Sequence, residues 1–138
     1  MSNAFTKVLE SKQEAAYAFM RVIAGFMFTF HGVQKIFGVL SERPAPEFGT
    51  QMWIGGVIEL VCGVLIAVGL FTPYAAFLAS GTMAVAYAQF HWHFAFDSNF
   101  LPVVNGGEMA ALYAVLLLFV ACKGSGFFSV DALLAKKK

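Results

Sequence analysis

The chain has 138 residues, of which 59% are apolar and only 12% charged, with a net charge of +1 and sixteen phenylalanines. An ordinary soluble domain carries about a quarter charged residues, so the composition excludes one and points to a bilayer as solvent. The apolar residues come in blocks of spanning length, about 17 to 25 residues for a helix, not in alternating strips of about ten, which excludes an outer-membrane barrel.

In chain order the blocks run over residues 15–38, 53–71, 73–94 and 107–123. They predict an all-α integral membrane protein, a four-helix bundle forming one domain over residues 1–138, with no separate soluble part. Ser11 with Glu14 and Asn105 with Glu108 have capping-box spacing, and Thr72 before Pro73 is a third helix start. Pro44, Pro46 and Gly49 punctuate the loop before span two. Span one is preceded by Glu10 and Glu14 and contains Arg21, which argues against a cleaved signal peptide. Ser129 to Leu134 is expected to form a brief interfacial helix capped by Ser129.

Lys7, Lys12, Lys123, Lys136, Lys137 and Lys138 fall on the side of both termini, against Lys35 and Arg43 on the other. The positive-inside tendency places both termini in the cytoplasm of a multi-pass plasma (inner) membrane protein. Cys62 and Cys122 differ in depth by about 13 Å; a disulfide is not expected, and both read as buried inert thiols.

Ionisable residues within spans usually face a pore, a partner or a ligand. At a rise of about 1.5 Å per residue, His31, Lys35, Glu59, His91 and Glu108 gather in the outer third. Arg21, Phe28, His31 and Lys35 share one arc of span one. Glu59 lies between Gly56 and Gly63, on a face that another backbone can approach closely.

Each of these residues also has a plainer reading. Glu108 is either part of the polar layer or only the N3 half of a cap, and Lys35 either belongs to it or snorkels outward. His91 and His93 flank Trp92, as either ligands or an interfacial aromatic belt. His-x-His without a third ligand predicts no metal site. Arg21 reaches either cytoplasmic phosphates or Glu59, and a link to Glu59, direct or through water, is the favoured expectation. On span three, Ser80, Ala84, Tyr87 and His91 form one line and Gln89 with His93 another; only one faces inward.

The order of these features resembles the DoxX family. The resemblance rests on Arg21, on His31 to Gly38 (HGVQKIFG), on Gly56-Val57-Ile58-Glu59 with Gly63 and Gly69, and on Thr72-Pro73. Gly106-Gly107-Glu108 and the closing stretch Gly124 to Asp131 extend it over nearly the whole chain. It implies a small inner-membrane protein linked to quinone-dependent electron transfer or thiol redox balance.

The chain has no Cys-x-x-Cys, no haem-like histidine pair and no nucleotide-binding glycine fingerprint, so electron transfer would need a bound quinone or an oxidoreductase partner subunit. No catalytic residue is singled out. The leading expectation is a non-catalytic anchor or assembly subunit for a membrane redox system. The alternatives are a quinone-binding redox subunit with an outer-leaflet site at His31, Lys35, Glu59, His91 and Glu108, and a small-solute or proton carrier. A homo-oligomer is expected if the carrier needs a longer pathway. The short basic tail suits lipid headgroups, not nucleic acid.

Overall fold

The computed structural model describes residues 3–137, and all regular structure among them is helical. Four helices are long: α2 (Gln13–Phe37), α3 (Gln51–Val68), α4 (Thr72–Ala86) and α6 (Glu108–Lys123). Three are short: α1 (Ala4–Glu10), α5 (Pro102–Asn105) and α7 (Val130–Ala135). A π-helical turn, Tyr87–Trp92, continues α4. Helices α2 and α3 are each long and apolar enough to cross a membrane. Lys138, counted above with the basic residues beside the termini, lies outside the described residues.

The helix starts depart from the expected caps. Asn3 accepts a hydrogen bond from Thr6 N at 2.9 Å and so starts α1 where a plain tail was expected. Ser11 closes α1, its hydroxyl donating to Val8 O, while Glu14 pairs with Lys123 Nζ at 2.8 Å. The predicted box between them does not form. The cap of α3 is Thr50, which accepts from Trp53 N, so the helix starts two residues before the predicted span. Asn105 Oδ1 accepts from Gly107 N at 2.7 Å in a tight local turn, and Glu108 is left exposed. α4 is capped from a distance: the Asp131 carboxylate accepts from Phe71 N at 3.0 Å and Thr72 N at 3.3 Å. Ser129 caps α7 as expected, accepting from Ala132 N at 3.1 Å.

α2 and α3 pack antiparallel with their backbones in contact. A Cβ built on Gly32 lies 2.6 Å from Leu60 Cα and 2.7 Å from Gly56 O; one on Gly25 lies 2.8 Å from both Ala67 Cα and Gly63 O. Small residues permit such approach, and dispersion with interhelical hydrogen bonds then replaces the hydrophobic effect that lipid cannot supply. The sequence pointed to the α3 glycines, Gly56 and Gly63; their partners on α2 are Gly25 and Gly32, also seven residues apart. α4 packs on α6 through Ala75, Ala76, Ala79 and Met83 against Ala110, Leu117 and Val120, and Ser80 Oγ donates to Ala114 O at 2.7 Å. α3 and α4 pack less closely than either of these pairs.

At the end where α2 begins and α6 finishes, the C-terminal segment crosses the turn between α3 and α4. Tyr17 OH donates to Gly124 O at 2.5 Å. Arg21, with no exposed surface, donates through Nη1 to Ile66 O (2.5 Å) and Ala67 O (2.9 Å), and through Nη2 to Phe128 O. Asp131 N donates to Gly69 O at 2.9 Å, and Gly69 holds a left-handed φ of 74°. Phe19, Phe26, Phe77, Leu112 and Val115 are among many large apolar side chains on the exterior. Contiguous apolar surface on this scale is a liability in water and ordinary in lipid.

Candidate functional site

Of the predicted polar residues, Lys35 and Glu59 meet directly. Lys35 Nζ donates to Glu59 Oε1 at 2.5 Å, and the Glu59 side chain is 4% exposed against 33% for Lys35. The expected link from Arg21 to Glu59 is not formed. The antiparallel register explains this: residue 32 faces 60 and residue 25 faces 67, so Lys35 falls near the level of Glu59 and Arg21 beyond the last turn of α3. Arg21 there meets the unpaired carbonyls that every helix C-terminus leaves, which suit a cation.

Lys35, Glu59 and His91 all line a groove of about 800 Å³ between α3 and α4. Its apolar walls include Ile54 and Ile58 from α3 with Phe77, Leu78 and Val85 from α4; Ile54, Phe77, Leu78 and Val85 are exposed on the outer surface. Gly55 and Gly81 also line it, and a Cβ on either would meet nothing within 4 Å. Arg43 and Gln51 stand at the loop end, where Gln51 Nε2 donates to Gln89 Oε1 across the mouth. A recess of this size, mostly apolar with a few convergent polar groups, has the form of a small-molecule site.

The π-helical turn sets the face of the third long helix. Ser80, Met83, Tyr87 and His91 turn inward or are half-buried, whereas Ala84, Gln89 and His93 are exposed. Of the two lines considered for this helix, the one through His91 faces in, except at Ala84. His91 Nδ1 lies 3.3 Å from Asn105 O, and Tyr87 OH donates to Phe100 O, which ties the π turn to the following loop. Single π turns inside α-helices occur frequently at functional sites.

His31 and Glu108 stand apart from the groove. The His31 ring is edge-on to Tyr113 with centroids 6.2 Å apart, and Glu108 is exposed at the first turn of α6. Neither cysteine is bonded; Cys62 is buried, but Cys122 is exposed, contrary to the expectation that both are buried. Sequence reasoning missed Gln51, Arg43, Gly55 and Gly81. The adjacent pair Gly55-Gly56 carried a usable signal, since two neighbouring helical glycines face different directions and only one of them can serve the α2 contact.

One buried polar atom at the groove lacks any partner. Glu59 Oε1 is bound by Lys35, but Glu59 Oε2 has no hydrogen-bond partner among the described residues. Buried polar atoms are normally paired, and an unpaired one calls for an explanation.

A family model described as DoxX matches residues 16–92, which hold Arg21, Lys35, Glu59 and His91. A protein of Haemophilus influenzae, described as uncharacterized, is 38% identical over 133 residues covering 94% of this chain and 98% of its own length. No solved structure matches. The two apolar helices and the lipid-suited exterior define the class, a helical membrane protein. Within that class the chain belongs to the DoxX family.

Proposed function

We propose that the four long helices each cross the plasma membrane as a four-helix bundle, with both termini cytoplasmic, and that the groove between α3 and α4 holds the head of a quinone-type ring for a membrane redox partner. The observation that carries this reading is the buried Glu59, paired with the partly exposed Lys35, in the wall of a groove whose outer rim is apolar. A lipid-soluble ring with a hydrocarbon tail suits that geometry. The tail lies along Ile54, Phe77 and Leu78, and the ring enters the space beside Gly55 and Gly81.

Lys35 has donor capacity left after its bond to Glu59, and an ammonium can donate to a ring oxygen. His91 supplies a group that donates or accepts according to its tautomer. In this reading the protein is an assembly subunit that presents a bound quinone to an oxidoreductase subunit, and the anchoring role follows from the binding role. Arg43 stands only at the loop end, the Lys35 and Glu59 charges balance each other, and the apolar walls favour a largely apolar ring over a charged solute, which sets this reading above a carrier.

Native mass spectrometry of the protein gently extracted from its own membrane, followed by identification of retained lipids, tests the reading. A stoichiometric quinone or quinol, lost in Gly81→Leu, is expected. Retention of phospholipid alone at full occupancy of the groove would overturn it. Cysteine labelling at Lys136→Cys and Asp97→Cys from either side of sealed vesicles tests the topology, with Lys136→Cys reacting from the cytoplasmic side.

A further inference from the structure

Glu59 is 3% exposed, and its two carboxylate oxygens are in different states: Oε1 accepts from Lys35 Nζ, and Oε2 accepts from nothing. A carboxylate paired with an ammonium, as Glu59 is with Lys35, only accepts hydrogen bonds. A group that completes this site must therefore donate. Oε2 is closed off from the groove as it stands, but rotation about the last side-chain torsion of a glutamate is soft, so turning the carboxylate presents that oxygen to the groove that Glu59 lines. Among the described residues, the other buried side-chain polar atoms without partners, Arg21 Nε and Thr72 Oγ1, belong to residues that do not line it.

Resting on the quinone-type reading above, we propose that the groove selects the two-electron-reduced, hydroxylated form of its ring ligand, with Glu59 as the residue that sets this specificity. A ring hydroxyl donates to the free oxygen of Glu59, while Lys35 donates to an oxygen of the same ring. The oxidised form has carbonyl oxygens only. It can accept from Lys35, but it leaves Glu59 Oε2 unpaired and sets two electron-rich oxygens against each other. A site that leaves a buried polar group unpaired discriminates strongly against the ligand that causes it. The preference is for one redox state over the other at constant ring size and tail.

The full chain in lipid nanodiscs, kept anaerobic, is titrated with a decyl-tailed benzoquinol, with the matching benzoquinone, and with the di-O-methyl ether of the quinol, which keeps the oxygens and loses both O–H donors. The quinol is expected to bind about tenfold more tightly than the quinone, and the ether no more tightly than the quinone. In Glu59→Gln the carboxamide both donates and accepts, so the quinol and quinone affinities converge to within about threefold. Gly81→Leu fills the groove and weakens both forms alike. Equal affinity of the wild type for quinol and quinone overturns the selectivity and leaves the quinone-type reading standing. So does a methyl ether that binds as well as the quinol, a comparison that needs no substitution. A preference that survives in folded Glu59→Gln removes Glu59 from the role. Failure of all three probes to bind overturns the binding reading itself.

Discussion

Alanine at Gly32 tests the close approach of α2 and α3, because its added methyl would sit 2.6 Å from Leu60 Cα and 2.7 Å from Gly56 O. Both neighbours are backbone, so neither can swing aside. Ordinary carbon contacts lie at about 3.5 to 4 Å, so the helices must part locally by about 1 Å. Overpacking of this kind costs about 1 to 3 kcal/mol. The same substitution at Gly81 meets nothing within 4 Å, and replacing an interior helical glycine by alanine gains up to about 1 kcal/mol. The two variants, chemically identical, should therefore move thermal stability in opposite directions. Thermal unfolding in nanodiscs, read by circular dichroism, should place Gly32→Ala about 5 to 10 °C below Gly81→Ala. If Gly32→Ala were as stable as Gly81→Ala, the glycine contact would not be close in the membrane, and the register that sets Lys35 opposite Glu59 would lose its basis.

Removing one partner of the Lys35 and Glu59 pair should be worse than removing both: Lys35→Met leaves the buried Glu59 uncompensated and is expected to destabilise by about 2 to 4 kcal/mol, less than for a fully buried pair because Lys35 is one-third exposed, with Lys35→Met/Glu59→Gln recovering most of it in a double-mutant cycle. Arg21→Met strips donors from Ile66 O, Ala67 O and Phe128 O and should cost about 2 to 4 kcal/mol by denaturant titration; no loss would mean that these carbonyls find water instead. Asp131→Ala removes the cap from α4 and should cost about 1 to 2 kcal/mol, measurable as faster amide exchange at Phe71 and Thr72. Glu14→Gln breaks an ion pair whose side chains are 53% and 33% exposed, so its effect on the melting midpoint should be small and should vanish in high salt.

The four long helices were legible because long apolar runs show directly in hydropathy, and two of them, α2 and α3, are long and apolar enough to cross a membrane. Their ends were less so. Ser11 and Asn105 had the right spacing for caps but were drawn into local turns, while the cap of α4 comes from Asp131, 59 residues away from Thr72, a distance no local pattern can encode. Glu59 was recognisable as inward-facing because of its glycines. Its partner was misassigned because depth counted from the ends of hydrophobic runs ignores interhelical register, which Gly25 and Gly32 fix and which only contact between helices reveals. The groove depends on what is missing, the side chains of Gly55 and Gly81; the adjacent Gly55-Gly56 pair marks one of them, but nothing in the sequence around Gly81 does.

The tie between Arg21 and Phe128 has a temporal consequence. The two residues are 107 positions apart, so when α2 leaves the ribosome the acceptor that completes its guanidinium does not yet exist. The same holds for the start of α4, whose cap waits for Asp131. Assembly at this end can finish only when residues 128–131 have been made, and a chain stalled or cut just after Lys123 would keep all four long helices while leaving Arg21 with α3 alone.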